Sequence, residues 1–137
     1  MIIDQLKDKW DFDLNLAELI RRQKDNADSN DSIKNRALGI NREIGHIRDK
    51  VGATRKKAKL EELEKKVGRF VEAKADKSID TSNGLGVQLV QKFDEVGVKP
   101  AQDIDPAELE KHAKDLKTIG TSLDRSEKDT ERNEEEL

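Results

Sequence analysis

Ile33, Ala37, Ile40, Ile44, Ile47 and Val51 recur at intervals of four and three, and after a break Leu60, Leu63, Val67 and Phe70 repeat the pattern. Such spacing lays one apolar stripe along a helix, and the stripe is covered when a second helix lies beside it in coiled-coil fashion. Nowhere do β-branched and aromatic residues alternate over a useful length, so no strand competes. The chain is expected to be all-α.

The break between the stripes sets the topology. Val51 to Leu60 is nine residues, which is no heptad interval, and Gly52 sits in the gap. A helix capped by Asp31 or Ser32 and ending near Val51, followed by one from about Thr54 to Lys77, makes a long antiparallel hairpin of nearly equal arms. One long kinked helix is the competing reading, and Arg55, Lys56 and Lys57 are poorly placed charges for a helix's first turn.

Flanking segments complete the expected architecture. Residues 1–30 form a head, in which Asn15-Leu16-Ala17-Glu18 reads as a capping box for a short helix from Leu16 to Lys24. Before that box lie Ile2, Ile3, Leu6, Trp10, Phe12 and Leu14, and after it Asp25 to Ser32 is rich in loop-forming Asp, Asn and Ser. Residues 31–78 are the long hairpin and 79–83 a linker. Residues 84–124 form a smaller C-terminal helical hairpin. Its first helix carries Leu85, Leu89, Phe93 and Val96, ended by a Schellman cap at Gly97-Val98 with Pro100 beyond. Its second starts at Ile104-Asp105-Pro106, with an Asp cap, Pro in the first turn and Ile104 placed to staple onto Leu109, and carries Leu109, Ala113, Leu116, Ile119 and Leu123. Residues 125–137 read as an acidic, disordered tail.

Composition agrees with a thin core. Charged residues make up 42 % of the 137, while Leu, Ile, Val and Phe still number 33, enough for folding but not for a thick interior. Residues 1–78 carry a balance of +4 and residues 79–137 one of −7, so the two parts are expected to attract each other, or to recruit different partners. No cysteine is present, which removes disulfides and thiolate metal sites. No apolar run is long enough for a membrane span, and the first residues lack the pattern of a signal peptide. A cytoplasmic protein that does not enter membranes is expected.

The motifs that carry chemistry are incomplete. Asp11-Phe12-Asp13-Leu14-Asn15 begins like a calcium loop, but Leu16 and Arg22 stand where that loop needs Gly and Glu. Glu43 and His46 have di-iron spacing without a second copy, since His112 lies four residues after Glu108. Gly84-Leu85-Gly86 lacks the third glycine of a dinucleotide fingerprint. No catalytic residue, metal ligand or cofactor is assigned, and the chain is expected not to be an enzyme.

The remaining signal is surface for association. Non-enzymatic protein–protein interaction, as an adaptor, chaperone-like, regulatory or assembly factor, is expected through Trp10 and the seam residues Ile40, Ile44, Ile47, Leu60, Leu63, Val67 and Phe70. The partner would be another protein or a second copy of the chain. The alternative is nonspecific nucleic-acid or phosphate binding by a basic hairpin tip formed by Arg48, Lys50, Arg55, Lys56, Lys57 and Lys59. The acidic tail is expected to compete for that tip from within the same molecule.

Overall fold

The computed structural model describes residues 2–52 and 54–137; Met1, Ala53 and the Ile2 side chain, counted above in the apolar head, lie outside it. The chain is all-α. Helix α1 runs over Ile2–Lys50, α2 over Arg55–Phe70, α3 over Asp76–Lys92 and α4 over Pro106–Glu136. A π-helical turn at Val71–Ala75 joins α2 to α3 without a break, a second at Phe93–Gly97 extends α3, and a 3-10 turn at Ala101–Asp103 leads into α4. Three rods result, each antiparallel to the one before it, so that α1 and α4 run parallel: α1, then α2 with α3, then α4.

The hairpin is formed, with its bend between Lys50 and Arg55. Its first arm is much longer than expected, because α1 passes straight through the capping box at Asn15 and the presumed loop at Asp25 to Ser32. The inward line on α1 is Phe12, Leu16, Leu19, Asn26, Asn30, Ile33 and Ala37, all buried. That is one continuous three-four seam with two asparagines set into it. Asn side chains disfavour helix when they bond their own backbone. Here they bond across the bundle instead. Asn26 Nδ2 donates to Ser126 Oγ at 2.8 Å, and Asn30 Nδ2 reaches the Ser78 carbonyl at 3.4 Å. Thr130 Oγ1 lies 2.7 Å from Asn26 Oδ1, 2.9 Å from Asn30 Oδ1 and 2.9 Å from the Ser126 carbonyl, so one hydroxyl hydrogen faces two amide oxygens and a carbonyl of its own helix. Asn133 Nδ2 adds a bond to Ser78 Oγ at 2.9 Å.

The same layer corrects the two other irregular segments. Residues 79–83 lie inside α3, with Ser82 fully buried and its carbonyl accepting from Gln23 Nε2 at 2.8 Å. Residues 126–136 continue α4, where Ser126, Thr130 and Asn133 face inward. Polar residues in those stretches suggested linker and tail because they break the apolar period; they are the polar course of the core.

The apolar core lies on the α1 N-terminal side of that layer. Phe12, Leu16, Leu19, Leu85, Leu89, Val96, Ile104, Leu109, Leu116, Ile119 and Leu123 form one cluster there. The start of α4 is as expected, with Asp105 accepting from the Ala107 amide at 3.0 Å, Pro106 in the first turn, and Ile104 and Leu109 both in the cluster. On α4 His112 and not Ala113 turns inward, and on the α3 extension Phe93 is 45 % exposed. No described glycine has a positive φ, so Gly97 does not make the left-handed turn of a Schellman cap. Its role is close approach, since a Cβ there would sit 3.2 Å from Leu16 Cδ2 and 2.9 Å from Phe93 Cδ2. Lys9, buried beside it, donates to the Gly97 carbonyl at 3.0 Å and so closes the end of the second rod from α1.

Two substitutions separate the two kinds of core. Leu116→Ala, at a fully buried position, should cost about 2–5 kcal/mol of unfolding free energy. Thr130→Val keeps the volume but leaves two asparagine oxygens unserved, and should cost about 1–3 kcal/mol. Urea denaturation measures both, and an unchanged midpoint for Thr130→Val would mean that the polar layer contributes nothing.

Candidate interaction surfaces

The seam residues do not share one environment. Ile44 is buried between the arms of the hairpin, and Leu60, Val67 and Phe70 are half-buried. Ile40, Ile47 and Leu63 are exposed, at 36, 52 and 49 %. This departs from the expected register, in which Ile40 and Ile47 point into the hairpin. The physical reason is the phase of α1. Asn41 Nδ2 donates to the Glu64 carbonyl at 3.3 Å and Arg48 Nη1 meets Glu64 at 2.9 Å, so positions 41, 44 and 48 face α2 while 40 and 47 face sideways. From Ile33 the inward positions are Ala37, Asn41, Ile44 and Arg48, at intervals of four, four, three and four, and the two successive fours shift the seam off the expected heptad register.

Arg48, Lys50, Arg55, Lys56, Lys57 and Lys59 lie at or beside the bend between α1 and α2. Arg48 is engaged by Glu64 and Asp49. Lys50, Arg55, Lys56, Lys57 and Lys59 form no ion pair among the described residues. Thr54 caps α2 in backbone geometry only, with no side-chain bond, and the first turn of α2 contains no acid. The acidic end of α4 does not visit this tip. Glu127 bonds Arg22, Glu134 lies 3.6 Å from Arg36 and Glu136 bonds Lys74, which fixes the stretch along the bundle.

At the other end, Trp10 is 64 % exposed. It belongs to a stripe with Ile3, Leu6 and Leu14, also exposed, on the side of α1 opposite Phe12 and Leu16. Helical spacing puts these four within one outward face. The expectation named the segment as apolar but took it as a separate head; in a continuous helix it becomes a second seam that the bundle does not use. On the second rod Val87 and Val90 are exposed beside Ile20 and Lys24 of α1, and Val98 is exposed just past its end, a feature sequence reasoning missed. Its signal was there: Val87 and Val90 fall out of phase with Leu85 and Leu89.

One polar cluster invites a chemical reading. Lys92 Nζ lies 2.7 Å from Asp115 Oδ2 and 2.8 Å from His112 Nδ1, with Glu95 and Glu108 each 3.6 Å from the imidazole. Lysine only donates, so Nδ1 accepts and the imidazole proton is on Nε2, toward Glu108. Lys92 of α3 and His112 of α4 are nearly buried where the two helices meet, and the adjoining depression is shallow and lined by Gln88, Gln91 and Thr118. The arrangement clasps α3 to α4 and offers no walled space for a substrate. His46 stands exposed and apart from it. Among the described residues no group of His, Asp and Glu is placed to hold a metal, and no helix is long and apolar enough to cross a membrane. Comparison with protein families, curated proteins and solved structures returns no match.

The clasp has a pH consequence. The hydrogen bond from Lys92 holds the Asp115 carboxyl below its ordinary value, with the ammonium charge adding to the effect. A carboxyl whose folded value is depressed stabilises the fold above its unfolded value, and the gain is lost as pH falls through the folded one. Asp115→Asn should therefore lower the melting temperature at neutral pH and make no difference in strong acid. A melting difference that persists unchanged into strong acid would show that charge is not what Asp115 contributes.

Proposed function

We propose that this chain is a non-enzymatic protein-interaction module, of the adaptor or assembly kind, that works in the cytoplasm and presents apolar helix faces to other proteins. The observation that carries the reading is the outward stripe Ile3, Leu6, Trp10 and Leu14. It is built at helical spacing on a face of α1 turned away from the core. Water-facing residues gain nothing from such order, whereas a docking helix does.

A second copy of the chain is the occupant we assign to this stripe. Paired antiparallel with itself, the stripe sets Ile3 opposite Leu14 and Leu6 opposite Trp10, so each large side chain meets another. The test is solution mass and Trp10 emission across concentration. Mass should rise with concentration while emission moves to the blue, and Trp10→Asp should hold the protein at monomer mass without loss of helix. A constant mass with unshifted emission removes this assignment.

A second reading, phosphate or nucleic-acid binding at the tip, draws on the five cations that form no ion pair among the described residues and on the start of α2, where Thr54 makes no side-chain cap. It predicts duplex DNA binding that fades steeply with salt, and that is lost when Lys56, Lys57 and Lys59 are changed together to Glu.

A further inference from the structure

The groove between α1 and α2 beyond the end of α4 has the form and charge of a helix-binding site. On α1, Arg36, Ile40, Glu43, Ile47 and Lys50 follow at intervals of four and three and share one face. Arg36 is the member that pairs with Glu134, so this is the face against which α4 lies. Leu137 and Ile40 line one depression together with Arg36, Gly39 and Glu43, which places the end of α4 at the mouth of the groove. On the opposite wall Lys74, bonded to Glu136, is followed back along the second rod by Phe70, Lys66, Leu63, Lys59 and Lys56 at intervals of four and three. The walls that hold α4 therefore run on past it, and α2 buries no residue completely.

We propose that this groove binds an acidic amphipathic helix supplied by another protein, laid in line with α4. The proposal rests on the interaction reading above but concerns the opposite end of the molecule. Two features select the occupant. Ile40, Ile47 and Leu63 form a bare apolar floor that continues the covered floor of Ile33, Ala37, Val71 and Ala75. The rim carries Lys50, Lys56, Lys59 and Lys66 against Glu43, and those four lysines form no ion pair among the described residues. The end of α4 shows the required chemistry, since Glu134 and Glu136 meet Arg36 and Lys74 on the two walls. A second copy of the tip would bring the same lysines against these, and like charges set in opposition disfavour it. Nucleic acid would answer the lysines but has no apolar stripe to cover the floor.

The test uses two labelled three-heptad peptides with leucine at the a and d positions, one with glutamate and one with lysine at e and g. Fluorescence anisotropy with the full chain should show the glutamate peptide bound at least about tenfold more tightly, with affinity falling as salt rises. The double change Ile47→Asp and Leu63→Asp, at positions half open to water, should abolish binding without changing the helical signal. Lys59→Glu with Lys66→Glu should turn the preference toward the lysine peptide. Trp10→Asp should leave binding unchanged, which separates this site from the stripe at the other end. Equal affinity for both peptides, no binding of either, or binding that survives the double change would overturn the proposal. So would a fall in the protein's own solution mass on the double change, which would assign the groove to a second copy. Displacement of the peptide by duplex DNA, with no effect of Ile47 and Leu63, would assign the tip to phosphate.

Discussion

The hydrogen bonds of Asn26, Asn30 and Thr130 are the condition on which the architecture depends. They join α1 to α4 across the core and, through Ser78, to the second rod. Without them two buried asparagines would stand unpaired in the middle of α1, and helix there would be disfavoured twice, by burial and by backbone competition. With them α1 continues for 49 residues, about 70 Å, and becomes the spine against which everything else is placed. Polar layers of this kind also resist sliding, since a shift of one turn would set the amides against leucine.

Along this spine the surroundings change in order. An apolar three-helix core comes first, then the polar layer, then a short apolar course of Ile33, Ala37, Val71 and Ala75, and finally two helices alone. The π turn at Val71–Ala75 sits at the change from three helices to two. Val71 and Ala75 are both buried four residues apart, and Ser78 follows three later. Successive intervals of four carry a seam around the helix, and a π turn, with its extra residue, lets both positions face inward before the normal phase resumes.

The all-α class, the hairpin bend and the start of α4 were legible because each rests on local chemistry: three-four spacing, a glycine in a gap, and an Asp-Pro pair at a helix start. The continuity of α1 was not, because Asn26 and Asn30 resemble loop residues until their partners a hundred positions away are known. Ser78, Ser82, Ser126 and Thr130 were hidden for the same reason. Period alone could not reveal them, since the seam holds its spacing while changing chemistry. At the candidate sites the structure places Trp10 on an exposed face of α1 and the cations at the bend between α1 and α2. The orientation of Ile40 and Ile47 was not read, because it follows from Asn41 and Arg48 docking on Glu64, a contact between the two arms.

This layout also divides stability along the molecule. Large side chains such as Leu89, Leu116 and Leu123 are fully buried at the three-helix end, whereas α2 has no buried residue. The tip also bears three cations in the first turn of α2, where the helix dipole opposes them. Opening free energies therefore fall from the core toward the bend, and amide exchange should be slowest around Leu116 and fastest around Lys56. On the reading proposed above, a surface that is both loosely held and unmatched in charge would gain most from a partner helix that supplies apolar cover and acids together. The stripe on α1 at Trp10 differs in kind: it lies on the back of the best-packed region, so docking there adds contact to a helix that is already fixed and costs little ordering entropy.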